Sequence, residues 1–294
     1  MEKLNPKRIE NILALTPLQE GLLFHYLQEP QSGLYFEQLC LSISGPVHLK
    51  LFAQAWNIVV ETNEMLRSLF RWEKLEKPSL IILKEHPCRV IFYDLAENTT
   101  LEEIKYNDRR RPFDLQQVPF RVTLVKRAEN EYEMIISNHH ILYDGWSNGI
   151  ILREFFQVYH RLCRGEQVVK IPAKPPFKEF VRWMQSRDKI SRENYWREYL
   201  AGFEPPAESF LKKDCDVAAG ANDYALIFAG SLIDQLDAFV KNNRVTLAAI
   251  FYTAWGLLLQ KYSGSEDVVF GTTVSGRSAA IEGIEDMVGL FINT

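Results

Sequence analysis

Two adjacent histidines, followed closely by an aspartate and a glycine, form the cluster of residues best suited to chemistry. His139 and His140 stand at the end of an apolar run that predicts a strand, and Asp144 and Gly145 lie in the turn before a predicted helix. A neutral histidine can transfer a proton near pH 7. Neighbouring residues at a strand end point to opposite faces, so we expect one imidazole to face a site and the other to pack inward. A metal site shared by both histidines is therefore not predicted.

The same turn also fits the pattern of a hydrolase nucleophile elbow, through Gly145, Ser147 and Gly149. That mechanism needs a histidine later in the chain, and only His160 follows. His160 lies on the same predicted helix, roughly 20 Å from Ser147 at 1.5 Å rise per residue. A catalytic triad cannot close over that distance. We therefore predict that Ser147 caps the helix that begins at Trp146 or Ser147.

A second glycine-rich segment, from Gly271 to Ser278, resembles a phosphate-binding loop. It has Arg277 where such loops carry a lysine that reaches the terminal phosphates. A turn that bears a structural arginine is the better interpretation.

Composition excludes several classes of function. The 294 residues carry a net charge of −4 and are 47% apolar, which excludes a mainly disordered chain. The acidic balance gives no reason to expect nucleic acid or an anionic membrane as a partner. The four cysteines are widely separated and suggest neither a zinc cluster nor a disulfide framework. With no signal peptide or membrane span in the pattern, we predict a soluble, cytoplasmic protein.

Helices and strands alternate along the chain. Thr16 and Pro17 predict the start of a helix that continues to Leu27, and Leu51, Ala55, Ile58 and Val59 recur at helical spacing. Further helices are predicted over residues 147–163, 177–200, 231–243 and 246–262, and strands over 34–43, 120–125, 132–137, 224–228 and 268–270. The strands 120–125 and 132–137 predict a hairpin, and residues 202–222 predict an irregular stretch.

The proline-rich segment 171–176 predicts a linker between two lobes. We place an N-terminal lobe at residues 1–170, which carries both histidines, and the start of a C-terminal lobe at residues 171–294. The chain ends inside an apolar run at Thr294. We therefore expect the second lobe to be incomplete.

Several motifs together resemble those of the condensation domains of nonribosomal peptide synthetases. The pattern from His139 to Gly145 matches the HHxxxDG signature of that family. Five further segments resemble family motifs in the expected order: Leu15–His25, Glu64–Phe70, Arg111–Leu115 with Pro119, Phe177–Trp183 and Val288–Thr294. Thr62 and Asn63 stand where the family usually has Arg-His, so those two positions inherit no role.

The resemblance implies an α/β (α+β) protein with the two-lobed fold of chloramphenicol acetyltransferase. It also implies peptide-bond formation between a donor acyl or peptidyl thioester and an acceptor aminoacyl thioester. Both substrates would be carried on the 4′-phosphopantetheine arms of peptidyl carrier proteins, with no cofactor bound directly. Donor and acceptor carrier proteins and adjacent synthetase domains, such as an adenylation domain, would be the partners.

Roles for individual residues follow from the same resemblance. His140 would orient the attacking amine and accept its proton, and Gly145 would leave room for substrate and offer its N–H to the developing oxyanion. Asp144 would hold the turn through a salt bridge, with Arg277 as first candidate and Arg67 as second. His139, Trp146 and Ser147 would support the site.

Three alternatives remain open from the sequence. The first is a carrier-protein docking or gatekeeping module without turnover. The second is a small acyltransferase that uses acyl-coenzyme A, which the upstream match at residues 15–25 disfavours. The third is an epimerisation domain, which shares the HHxxxDG signature.

Overall fold

The computed structural model describes residues 4–95, 100–167, 171–204 and 225–294, which form a mixed α/β protein as predicted. The strands are Ile9–Ala14 (β1), Phe36–Ser44 (β2), Ser68–Arg71 (β3), Ser79–Leu83 (β4), Val90–Asp94 (β5), Phe120–Ala128 (β6) and Glu131–His139 (β7). The α-helices are Pro17–Gln28 (α1), Leu49–Thr62 (α2), Leu101–Arg109 (α3), Gly145–Cys163 (α4), Phe177–Ser186 (α5), Lys189–Tyr199 (α6), Ser231–Asn243 (α7) and Leu247–Ser263 (α8).

The chain separates into two compact units. The first contains Met1–Arg187 together with Thr273–Thr294, and the second contains Asp188–Thr272. Among the described residues, strands β1 to β7 and helices α1 to α5 belong to the first unit, whereas α6 to α8 belong to the second. The predicted lobes, residues 1–170 and 171–294, are a different division of the chain, and their boundary stays a prediction.

Two sheets organise the first unit. One has the strand order β1-β4-β3 and is antiparallel throughout. The other has the order β2-β7-β6-β5, in which β6 and β7 form the predicted hairpin and β5 runs parallel to β6. Strand β7 is paired on both edges, and this fixes the position of the histidines at its end.

Helices cover both faces of the four-stranded sheet. Alternating residues of β6 and β7 belong to the main core cluster, which also holds Trp56 of α2 and Phe155 of α4, whose rings stack with centroids 4.7 Å apart. The intervening residues Val125 and Ile135 pack with Ile104 of α3. Burial on both faces explains why these strands are apolar runs rather than strict alternations.

The first helix begins as the sequence predicts. The Thr16 hydroxyl accepts the Gln19 N–H at 3.3 Å, and the Gln19 side chain accepts the Thr16 N–H at 3.0 Å. This reciprocal capping box satisfies two backbone donors at the helix start. It also fixes the direction of the Gln19 side chain, which reaches towards the turn after β7.

Several element predictions were wrong. The helix expected over 177–200 is two helices, because Arg187 is extended and Asp188 caps α6 by accepting the Ile190 and Ser191 N–H groups. No regular strand forms over 225–228 or 268–270, and residue 224 and most of the expected irregular stretch 202–222 lie outside the described residues. The predicted linker, residues 171–176, has no regular secondary structure.

Candidate active site at the strand-to-helix turn

The turn between β7 and α4 is built from backbone contacts on several elements. His139 pairs with Phe36 in the β2–β7 register, and the His140 N–H donates to the Tyr35 carbonyl at 2.8 Å. The Gln19 side-chain amide of α1 donates to the Ile141 carbonyl at 3.1 Å. The first family-like motif therefore has a structural role, which is to hold this turn.

His140 lies at the surface of the site with a defined tautomer. Its side chain is 24% exposed, and Nδ1 lies 2.8 Å from the Tyr143 carbonyl oxygen. A carbonyl oxygen can only accept, so Nδ1 carries the proton of the neutral ring and Nε2 keeps its lone pair. The imidazole can therefore accept a proton at Nε2 from a group held in front of it.

His139 is buried and makes different contacts from His140. Its Nδ1 accepts the Ile141 N–H at 3.1 Å, and its ring lies edge-on to Tyr26. The Nε2 atom is buried and has no hydrogen-bond partner among the described residues. Burial, with the neighbouring His140 as a second cause, lowers the pKa of His139 from 6.5 to about 4. This imidazole is neutral near pH 7 and packs inside the protein.

Asp144 lies at the centre of a buried polar cluster. Its Oδ1 accepts from the Arg277 guanidinium at 3.1 Å, and its Oδ2 accepts the Phe291 N–H at 3.0 Å. It also caps α4, because Oδ1 accepts the Ser147 N–H at 3.2 Å. Asp144 is thus a structural centre of the turn rather than a group that faces solvent, with its side chain only 1% exposed.

Of the two arginines considered for Asp144, Arg277 is the one that contacts it. Its guanidinium also donates to the carbonyls of Ile284 and Met287, at 2.7 and 2.9 Å, and lies over the Phe291 ring. The glycine-rich segment Gly271–Ser278 therefore carries an arginine with a structural role, as the sequence predicted.

Arg67 lies elsewhere in the first unit. It donates to the Glu10 carboxylate and the Leu83 carbonyl, and so ties β1 to β4. It also lines a cavity of about 420 Å³ with Asn63, Glu64 and Phe177, among others. The two histidines do not line this cavity. Arg67 does not contact the Asp144 carboxylate, so its place in the site was predicted wrongly.

The start of α4 carries the remaining predicted residues. Asp144, not Ser147, caps the helix, because α4 begins at Gly145 and Ser147 is already its third residue. The Ser147 hydroxyl lies 3.0 Å from Asp144 Oδ1 and accepts from Arg277 at 3.1 Å, so it is a member of the buried cluster. Trp146 is 60% exposed and its indole N–H donates to the Glu285 carbonyl at 3.1 Å.

Gly145 leaves open space at the first turn of α4. A Cβ atom at this position would have nothing within 4 Å. The first N–H groups of a helix have no intrahelical acceptor and bind negative charge well. The Gly145 N–H is therefore available to an oxyanion.

Sequence reasoning missed the residues that surround His140. Glu37 on β2, Asn138 on β7 and Tyr143 in the turn form hydrogen bonds behind it. Asn138 and Tyr143 lie next to or within the HHxxxDG segment, but Glu37 is 101 residues from Asn138 and reaches it only through strand pairing.

Metal-ligand clusters and membrane-spanning helices are both absent from the residues that the structure describes. Within it, no three histidine, cysteine, aspartate or glutamate side chains are grouped so that they could hold a metal ion. No helix in the same residues is long and apolar enough to span a membrane.

Comparison with known proteins places the chain in a family. The condensation domain family model matches residues 9–294, so this chain belongs to the condensation domain family. It is 35% identical over 301 residues to bacitracin synthase 3 of Bacillus licheniformis, and 33% identical over 302 residues to surfactin synthase subunit 3 of Bacillus subtilis (strain 168). Those matches cover 97% and 100% of this chain but only 5% and 24% of the relatives.

Solved structures show the fold. The first condensation domain of the calcium-dependent antibiotic synthetase, in complex with a substrate analogue, superposes with a TM-score of 0.74 at 19% identity. The match covers 97% of this chain and 68% of that one. The condensation domain of the monacolin K polyketide synthase MokA gives a TM-score of 0.76 at 15% identity. The fold predicted from the sequence motifs is confirmed.

Proposed function

We propose that this chain forms an amide bond between two thioester-bound substrates, a donor acyl or peptidyl group and an acceptor aminoacyl group. Each would be presented on the 4′-phosphopantetheine arm of a carrier protein. The observation that supports this best is the geometry of His140, whose Nδ1 proton is held by Tyr143 while Nε2 stays free to accept a proton. The matched relatives are named as synthases of bacitracin and surfactin, which agrees with this chemistry.

The reaction requires one proton transfer and one nucleophilic attack. The acceptor amine attacks the donor carbonyl carbon, a C–N bond forms, and the oxygen becomes an oxyanion. The C–S bond then breaks and the donor arm leaves as a thiolate. His140 Nε2 accepts the proton that the amine nitrogen loses and returns a proton to the thiolate. The N–H of Gly145, at the start of α4, donates to the oxyanion.

Positioning supplies more of the rate than proton transfer. A free α-amine has a pKa of about 7.7–8.0, so a neutral fraction exists at pH 7 without a strong base. Alignment of two tethered reactants is worth roughly 7–11 kcal/mol. A general base adds about 10²–10⁴-fold. The His140 imidazole, whose Nε2 is free to accept a proton, fits this second, smaller role.

The partners follow from the same proposal. Donor and acceptor carrier proteins would bind the chain, and an adenylation domain would load at least one of them. We place the protein in the cytoplasm, where such synthetases would meet ATP and amino acids. No cofactor is bound by the chain itself in this scheme, because the phosphopantetheine arms arrive with the substrates.

The experiment supplies donor and acceptor carrier proteins loaded with aminoacyl-phosphopantetheine and follows the dipeptidyl-thioester by intact-protein mass spectrometry. His140→Ala is the test variant, and His160→Ala is the matched control because His160 is an exposed histidine of α4. The assay is run both on the chain by itself and on a chimera that joins it to the segment following the matched region of bacitracin synthase 3. Product that disappears with His140→Ala but persists with His160→Ala supports the proposal.

Other results would replace the proposal with one of its alternatives. Carrier binding without product from either form indicates a docking module. Equal turnover with acyl-coenzyme A as donor indicates a small acyltransferase. Exchange of the substrate Cα hydrogen with deuterated water, without amide formation, indicates an epimerisation domain.

A further inference from the structure

We propose that Glu37 is a positioning residue for His140. The Glu37 carboxylate lies on the Nδ1 side of the imidazole and stabilises the protonated form of that ring. This inference rests on the proposed function, in which His140 accepts a proton. It concerns a residue on β2 that lies outside the HHxxxDG segment. The structure brings it to the site through the pairing of β2 with β7.

Three side chains form a line that ends at His140. The Tyr143 hydroxyl donates to Asn138 Oδ1 at 2.7 Å, and Asn138 Nδ2 donates to Glu37 Oε2 at 3.0 Å. The other carboxylate oxygen, Glu37 Oε1, lies 3.6 Å from His140 Nδ1. Glu37 and Asn138 are direct cross-strand partners, so their side chains lie on the same side of the sheet.

The chemistry of the groups fixes each orientation along the line. A carboxylate only accepts, so Asn138 must present its amide nitrogen to Glu37 and its oxygen to Tyr143. Burial, together with the Glu37 charge, raises the pKa of Tyr143 well above its ordinary value, so the hydroxyl stays protonated and donates. Asn138 and Tyr143 are 2% and 0% exposed, which holds both in place.

The hydrogen bond from Asn138 therefore positions the Glu37 carboxylate next to the His140 imidazole, which becomes positively charged when it accepts a proton. While His140 is neutral, its Nδ1–H donates to the Tyr143 carbonyl, and the Glu37 carboxylate lies 3.6 Å from Nδ1. Once Nε2 accepts the proton of the amine, the ring is a cation 3.6 Å from Glu37. An opposite charge at this distance favours the charged form of a titrating group.

The other charged groups around His140 do not add to the stabilisation of its protonated form by Glu37. His139, the preceding residue, is buried and neutral at pH 7. Asp144, at the end of the turn, is paired with Arg277. The first turn of α4 disfavours a nearby cation, since the positive end of the helix dipole lies there. Glu37 is thus the carboxylate that contacts His140 and offsets the dipole.

The test measures the His140 pKa directly by NMR of ¹³Cε1-labelled histidine, with the signal assigned through His140→Gln. Glu37→Gln keeps the shape and removes the charge. Glu131→Gln is the matched control, because Glu131 is an exposed glutamate at the opposite end of the β2–β7 pair. Glu37→Asp keeps the charge on a shorter side chain.

We expect Glu37→Gln to move the NMR titration midpoint of His140 to lower pH, because a negative charge near the ring is lost; the shift should be modest, since the carboxylate is 35% exposed and partly screened. Glu37→Asp should retain most of the wild-type pKa, and Glu131→Gln should retain all of it. Where turnover is measured, kcat should fall about threefold to tenfold in Glu37→Gln with little change in KM.

An unchanged His140 pKa in Glu37→Gln overturns the inference, and so does an equal fall in Glu131→Gln. The NMR readout does not need product formation. Failure of the proposed function, with no amide formed, is therefore distinguishable from failure of the Glu37 assignment.

Discussion

The Arg277 guanidinium lies 3.1 Å from the Asp144 carboxylate, although 133 residues separate them in sequence. Both side chains are buried, with exposures of 6% and 1%. The same aspartate accepts the Phe291 N–H, and the same arginine donates to the Met287 carbonyl. The pair therefore joins the HHxxxDG turn to the last residues of the chain, and its role is to hold the turn that presents His140.

Removal of both partners should cost less than the sum of the two single removals. Arg277→Met leaves the Asp144 charge buried without its partner, and we expect a loss of about 3–5 kcal/mol in the free energy of unfolding of the first unit. The double variant Arg277→Met with Asp144→Asn should lose less than the sum of the single variants. Denaturant unfolding monitored by tryptophan fluorescence measures each value.

Arg153→Met is the matched control for that series. Arg153 pairs with Asp286 across side chains that are 51% and 55% exposed, so its loss should cost no more than about 1 kcal/mol. Equal destabilisation by Arg277→Met and Arg153→Met would contradict a structural role for the buried pair.

The lowered pKa of the buried His139 predicts that the folded state becomes less stable in acid. Its pKa is about 4 in the folded protein against 6.5 ordinarily, so between these values the unfolded chain binds the extra proton. Stability is therefore lost as the pH falls below 6.5, and the loss is complete near pH 4. We expect the His139 contribution to fall by roughly 2 kcal/mol between pH 7 and pH 5.

The measurement compares unfolding curves at pH 7 and pH 5 for the wild type and His139→Asn, which cannot titrate in this range. The variant should lose about 2 kcal/mol less on acidification, and His160→Asn, at an exposed histidine, should follow the wild type. Parallel pH dependence of His139→Asn and the wild type would show that His139 titrates normally.

Local signals in the sequence account for the parts of the fold and site that were predicted. Thr16 and Pro17 define the start of α1 through a cap whose partners are three residues apart. The hairpin of β6 and β7, and the turn with His139 and His140, likewise depend on neighbouring residues. The resemblance to condensation domains implied an arginine partner for Asp144, with Arg277 as the first candidate, and no local pattern could have located that contact.

The failures have two physical causes: the choice between neighbouring residues as helix caps, and tertiary context. The single helix predicted over 177–200 is divided near Asp188. The Asp188 side chain accepts backbone N–H groups at the start of α6, and this favours an N-cap over a position inside a continuous helix. Ser147 was predicted to cap α4, but Asp144 accepts the N–H that needs a cap. Glu37 carried no signal at all, since its contact with Asn138 arises from strand pairing.

The buried network around Lys174 offers a third test. Lys174 Nζ lies 2.5 Å from Glu154 Oε1 on α4 and donates to Asn63 Oδ1 at 2.7 Å. Burial lowers the pKa of Lys174 although Glu154 opposes the shift. Lys174→Met leaves Glu154 buried and unpaired, so we expect a loss of about 3–5 kcal/mol in unfolding free energy.

The controls for Lys174 are a surface pair and a double variant. Lys126→Met breaks an exposed pair with Asp94 and should cost at most about 1 kcal/mol. Lys174→Met combined with Glu154→Leu should recover part of the lost stability in the same denaturant titration. Lack of any recovery would mean that the stability lost in Lys174→Met comes from the change of side-chain shape and not from the unpaired Glu154 charge.

Gly276 should be intolerant of any side chain. Its φ is +66°, and a Cβ atom there would lie 1.8 Å from the Phe291 carbonyl oxygen, a backbone atom that cannot rotate away. Gly276→Ala must therefore displace either the backbone next to Arg277 or the backbone at Phe291. We expect a loss of about 2–5 kcal/mol, from backbone strain together with overpacking.

Gly33→Ala separates these two causes, because Gly33 lies in the same unit with φ at +70° and nothing within 4 Å of the added atom. That control carries backbone strain alone and should cost about 1 kcal/mol by denaturant unfolding. A Gly276→Ala variant no less stable than Gly33→Ala would show that the chain around Phe291 moves freely. In that case the contact that orients Arg277 towards Asp144 would not depend on the close approach at Gly276.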